Sequence, residues 1–225
     1  MNTSTTARNA LRSYIDAPSD ASKASPENQP PAAKTQAEYA AQLFWAIKSR
    51  DADAVIRFAA KVDDLDSHFE GDCAERPLTL AARYDLPVAA LEVLLARSNP
   101  RLADAEGCTP LIFAAWGDKP HSSELVRLLL PASDPLALRK GTDSALCFAI
   151  RVQCSKTISL LLPVSDLGQR NMNGRTPLEQ ARQAGKDEVV KLILGEMARR
   201  EALVLAAEIS TAPGLSEARN ASPRL

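Results

Sequence analysis

The chain has 225 residues, 45% of them apolar and 24% charged, with a formal net charge of −1 and a pI near 6.2. This balance gives no general attraction to nucleic acid or to an anionic membrane. No run of apolar residues is long enough for a transmembrane helix, and aromatics at 4% with abundant Ala and Leu favour a helical core over a β-sandwich. The cysteines Cys73, Cys108, Cys147 and Cys154 form no CxxC pair, and only His68 and His121 could join them. Neither a metal site, nor a disulfide framework, nor a cofactor is therefore expected, and reduced thiols fit the cytoplasm.

In chain order, residues 1–34 hold eight Ser or Thr and the prolines Pro18, Pro26, Pro30 and Pro31, with little that could be buried. A disordered tail is expected. It has no apolar h-region, so it does not read as a cleavable secretory signal. Two readings stay open: a floppy terminus, or an uncleaved address for a bacterial export system.

Order is predicted to start at Thr35, where Thr35 and Glu38 have the spacing of a capping box. From there the sequence repeats itself. The leucines Leu43, Leu78, Leu111, Leu146 and Leu178 stand in "QLFWAI", "RPLTLAARYD", "TPLIFAAWGD", "SALCFAIRVQ" and "TPLEQARQAG", at successive spacings of 35, 33, 35 and 32 residues. Each is followed by a second apolar run: "AVIRFAA", "LEVLLA", "LVRLLLP", "TISLLLP" and "VVKLILG". The units fall at about 35–70, 71–103, 104–137, 138–168 and 169–195.

Each unit reads as a helix-turn-helix. Thr109 and Thr176 can cap a first helix, Pro110 and Pro177 are preorganised for its first position, and Glu179 completes a capping box. Small alanines after the leucine let neighbouring helices approach, and neither helix can bury its stripe alone, so stacking makes the core. Unit 4 has Ser144-Ala145 in place of Thr-Pro, so its start should be less rigid. Unit 3 carries two extra residues around 117–124, where Ser122 or Ser123 can cap the next helix and His121 reads as an exposed loop residue. Residues 196–210 have strong helix propensity and read as a C-terminal capping helix over unit 5, covering Leu203, Val204 and Leu205. The alternative is a helix kept for a partner or a second copy. Residues 211–225 read as a flexible end.

This pattern resembles the ankyrin repeat, D-x-x-G-x-T-P-L-H-x-A-A-x-x-G over about 33 residues. The nearest copies are "DAEGCTPLIFAAWGD" and "NMNGRTPLEQARQAGKDEVVKLIL", and the likeness covers residues 38–196. It implies an all-α repeat solenoid of about five stacked units with short β-hairpin-like fingers. This chain departs from the pattern in places. The family histidine is replaced by Phe44, Thr79, Ile112, Cys147 and Glu179, the turn glycine stands only at Gly107 and Gly174, and the first unit lacks a recognisable finger.

The resemblance implies partner contact through a groove lined by the fingers and the ends of the first helices. Carried over, the helix-end positions are Arg83 and Tyr84, Trp116, Arg151 and Gln183. The finger positions are Asp72 and Glu75, Glu106, Lys140 and Asp143, Asn173 and Arg175. Trp116 follows the Ala114-Ala115 pair, where it either faces the groove or folds over the unit 3 insertion.

No Gly-x-Ser-x-Gly, P-loop, HExxH or dinucleotide fingerprint is present, and Cys73 has no base near it in sequence, so no enzyme is expected. The expected function is a protein-protein interaction module. The expected partner is a protein rather than nucleic acid or membrane, and a monomer is favoured. The expected location is cytoplasmic, or a host cell reached without a cleaved signal peptide. The Ser/Thr-rich start, 18 Arg against 9 Lys and the degenerate repeats suggest a bacterial effector acting on a host protein. The alternative is a regulatory inhibitor of an enzyme in its own cell, with the C-terminal helix as the blocking element.

Overall fold

The computed structural model describes residues 35–69, 75–117 and 119–211. The tail at 1–34, Asp72 and Cys73 in the second finger, and the end beyond residue 211 lie outside them.

Five helix pairs follow one another: α1 (Gln36–Lys48) with α2 (Ala52–Ala59), α3 (Pro77–Arg83) with α4 (Val88–Leu95), and α5 (Pro110–Ala115) with α6 (Ser122–Leu129). Then α7 (Ala145–Val152) pairs with α8 (Ser155–Leu161), and α9 (Pro177–Gln183) with α10 (Asp187–Thr211). First helices pack on first helices (α1, α3, α5, α7, α9) and second helices on second helices (α2, α4, α6, α8, α10). The result is an all-α solenoid of two helical layers, each pair covering the apolar stripe of the next.

The repeated residues account for this packing. Leu43, Leu78, Leu111 and Leu146 are buried, as are the small residues Ala81-Ala82, Ala114-Ala115 and Ala149 one turn later. Leu178 is only half-buried, and among the described residues no sixth first helix stacks on α9. Thr35 with Glu38 and Thr176 with Glu179 form reciprocal capping boxes, and Thr109 accepts from the Ile112 N–H. Ser144 accepts from the Cys147 N–H at 3.3 Å, so unit 4 keeps its cap without the proline. Ser122 does not cap α6. It is the first helical residue, and its Oγ accepts from the Lys119 N–H and donates to the Gly117 carbonyl, closing the inserted loop on itself. His121 is half-buried, with Nδ1 3.7 Å from Glu124.

The fingers differ from unit to unit. In units 3 and 5, Asp104 and Asn171 each accept two backbone N–H groups, and Gly107 (φ 78°) and Gly174 (φ 71°) make the left-handed turn that follows. In unit 4, β1 (Leu138–Arg139) pairs antiparallel with β2 (Asp143–Ser144) across Lys140 and Gly141, both at positive φ. Unit 4 therefore has its turn glycine after all, one residue earlier than the motif places it. A Cβ on Gly107 would stand 3.1 Å from the Lys140 nitrogen, so only glycine lets finger 3 approach finger 4 this closely.

A second left-handed position ends the first helices, at Arg50, Asp85, Gln153 and Gly185. Gln153 is exposed at φ 65° and ψ 27°, with its N–H on the Ala149 carbonyl. Gln153→Gly should raise stability by about 0.5–1 kcal/mol, since the Cβ strain outweighs glycine's entropy there. Urea midpoints compared with Gln153→Ala check it, and a drop in the glycine variant would contradict it.

Arginines tie neighbouring units at recurring spacings. Arg97 donates to the Ala59 and Val62 carbonyls, and three units later Arg200 donates to the Leu162 and Ser165 carbonyls, with sequence separations of 38 and 35 residues in both cases. Glu196 holds Arg199 and Arg200 in place, and their guanidiniums push its carboxyl down to about 2.

No separate capping helix starts at 196. α10 runs unbroken for 25 residues, and residues 201–210 are exposed along their whole length. Leu203, Val204 and Leu205 do not cover unit 5; each is more than half exposed. The part that reaches back ends near Arg200. Gly195 does not break the helix, because Val189 and Ile193 anchor one side of it and the Glu196 cluster lies just beyond.

Candidate protein-binding groove

In units 2 and 4 two positions face each other across the finger base. One lies three residues before the aligned leucine, the other five residues after it, at the end of the first helix. In unit 2 they are Glu75 and Arg83, which form an ion pair; in unit 4 they are Asp143 and Arg151, 3.1 Å apart. In both, the carboxylate is buried and the guanidinium is nearly half in solvent. Glu75 and Asp143 are thus not free groove contacts, as the family pattern implies for them, but supports beneath the arginines. Asp143 does more: its second oxygen accepts from the Met172 N–H at 3.1 Å and so anchors finger 5.

In unit 3 the same positions carry Cys108 and Trp116, and no ion pair forms. The indole lies nearly parallel to Phe113, with centroids 5.9 Å apart, and 4.7 Å from Phe148 of the next unit. Arg139 from finger 4 sits 5.1 Å above it, Arg83 lies over Phe113 and Arg151 over Phe148. Five residues from three units thus make one row: Arg83, Phe113, Trp116, Phe148, Arg151. Trp116 remains 37% exposed. It does not fill the unit 3 insertion, which Ser122 closes with polar bonds.

The row borders a cleft of about 580 Å³. Glu75, Arg83, Phe113 and Trp116 line one part of it; Asp104, Ala105, Glu106, Cys108, Lys119 and Arg139 complete it. Glu106 is exposed and paired with Arg139 and Lys140; the hydrogen bond from Lys140 is the main reason its carboxyl lies below its ordinary range. Burial lowers the Lys119 ammonium, which donates to the Arg83 carbonyl. Burial and nearby Asp104 push the Cys108 thiol up to about 11, so it stays protonated and a poor nucleophile at neutral pH.

Of the positions carried over, Arg83, Trp116, Glu75 and Glu106 meet in this cleft. Arg151 and Asp143 flank it, and Lys140 is exposed at the tip of finger 4. Tyr84 is half-buried against the core instead of standing free. Gln183 and Asn173 are exposed in unit 5, and Arg175 is half-buried there with its N–H on Asn171. The sequence reading missed Phe113, Phe148, Arg139 and Lys119. The signal for two of them was present: "FAAW" and "FAIR" place Phe113 and Phe148 three residues before Trp116 and Arg151, one turn away on the same helix face.

Among the described residues no group of three His, Cys, Asp or Glu side chains converges as a metal site requires, and no helix is long and apolar enough to cross a membrane. Residues 119–202 match the family model of ankyrin repeats, in three copies. That match covers units 4 and 5 and part of unit 3. The same helix pair with its buried leucine runs back through the stack to α1, and the left-handed first-helix end recurs at Asp85 and Arg50. Residues 119–202 are thus similar to ankyrin repeats, and the helix pairs before them continue the same stack.

Proposed function

We propose that this protein binds a partner protein along its finger side, with Trp116 at the centre of the contact. Ankyrin repeats are generally protein-protein interaction modules. The observation that carries the assignment is the row from Arg83 to Arg151, in which Trp116 is packed on two phenylalanines yet 37% exposed. A rigid, half-exposed Trp between arginines has the composition of an interface hot spot, and little side-chain entropy is left to lose on binding.

Trp116→Ala should weaken partner affinity at least tenfold, with a smaller effect on melting. Affinity capture and thermal melting, run together on both proteins, check this. Melting lowered by several degrees with binding unchanged would make Trp116 structural only.

A second reading, that of a regulatory inhibitor, is favoured by one observation: Leu203, Val204, Leu205 and Ile209 are each more than half exposed beyond the Arg200 clamp. The blocking element would then be α10 after residue 200. Truncation after Ala202 keeps that clamp and separates the readings: the groove reading expects affinity to persist, the inhibitor reading expects it to vanish. The effector reading rests on the excess of Arg over Lys, the degenerate repeats and the Ser/Thr-rich residues 1–34, the last of which lie outside the described residues. A fusion of that segment to a reporter tests it, and no export from a secretion-competent host removes it.

A further inference from the structure

Three times in units 1 to 4 a buried carboxylate lies beneath a solvent-facing guanidinium, as Glu196 also does beneath Arg199 on α10 in unit 5. Glu75 is 9% exposed under Arg83 at 47%, Asp143 3% under Arg151 at 40%, and Asp85 2% under Arg50 at 52%. Each pair is a fixed dipole with its negative end inside and its positive end toward solvent. A guanidinium has five donors in a rigid fork, and a carboxylate below orients that fork without consuming it. The pairs are thus preorganised anion receptors rather than neutralised charges. A fourth cation, Lys119, joins them between Arg50 and Arg83. Its ammonium is held by the Arg83 carbonyl; burial first, then the Arg50 and Arg83 guanidiniums, disfavour its charge, and the buried Asp85 carboxylate offsets this only in part. An incoming anion would relieve that cost.

We infer that the groove is specific for an acidic peptide segment, whose carboxylates meet Arg83, Arg151 and the Arg50–Lys119 pair while an apolar side chain between them lies on Trp116. This rests on the protein-binding reading and narrows it to a partner chemistry. The spacing of charge favours a peptide over a nucleic acid. The cationic positions are interrupted by the aromatic row, and Glu106 and Asp104 stand in the same cleft. A continuous phosphate chain would face those acids, whereas a peptide can place an apolar residue there.

The test uses the Trp45→Phe protein, in which Trp116 is the remaining tryptophan. Its emission is followed as acetyl-EELEE-amide, acetyl-KKLKK-amide or oligothymidylate is added. The expected result is saturable change with the acidic peptide alone, with affinity falling at least tenfold from low to physiological salt. Affinity should fall a further tenfold in Glu75→Gln/Arg83→Gln, where two neutral groups keep the finger base paired and circular dichroism confirms the fold. No response to the acidic peptide, an equal response to the basic peptide or oligothymidylate, or affinity unchanged by the double substitution would each overturn the inference. The broader reading would survive any of these, because it depends on a partner lost in Trp116→Ala.

Discussion

Phe148→Ala is expected to cost about 4 kcal/mol, more than any other single change considered. The ring is fully buried in α7 and lies 4.7 Å from Trp116, while α7 packs on both α5 and α9. Truncation leaves a cavity at the junction of three units, where repeat proteins derive their stability from neighbour contacts. It also removes one face of the Trp116 stack. The melting temperature should fall by roughly 10 °C for a domain of this size, and urea unfolding should lose cooperativity. Unit 5 should detach first, since α9 buries little beyond Pro177 and Ala181. Circular dichroism and Trp emission followed through the same urea titration check both effects; coincident transitions with a loss below about 1.5 kcal/mol would contradict them.

Asp143→Ala is the second large effect, at about 2–3 kcal/mol. The full penalty for breaking a buried ion pair is not expected, because Arg151 is 40% exposed and can turn to water. What remains is the Met172 N–H, which loses the Asp143 oxygen at 3.1 Å and with it the tie between fingers 4 and 5. Asp143→Asn should recover about half the loss, since an amide oxygen can still accept that bond. Amide exchange at Met172 is the specific readout: faster exchange in the alanine variant and partial protection in the asparagine variant are expected. Unchanged exchange in both would show that the finger is held by other contacts.

The fold was readable from the sequence because it repeats a local device. Thr109-Pro110 and Thr176-Pro177 start helices by their own chemistry, and the leucines bury because each unit presents the same stripe to the next. The site was readable in part, for a physical reason that differs by residue. Glu75 and Asp143 look like surface acids until the finger folds over the first helix and buries them beneath an arginine eight residues on. Phe113 and Phe148 look like ordinary core until Trp116 bridges two units. The course of α10 could not be inferred from propensity, because the same apolar residues that could cap a repeat can equally stand in solvent on a helix that continues past it.

On the proposed function, the finger side around Trp116 is where a partner is gripped. The most direct measurement of this is photo-crosslinking from a benzoylphenylalanine placed at position 116, compared with one placed at Glu92, an exposed position on the second-helix layer. A discrete adduct is expected from position 116 and none from position 92, and that adduct should be lost when excess unlabelled wild-type protein competes but not when Trp116→Ala protein does. An adduct of equal yield from position 92, or one that Trp116→Ala competes away as well as wild type, would contradict it.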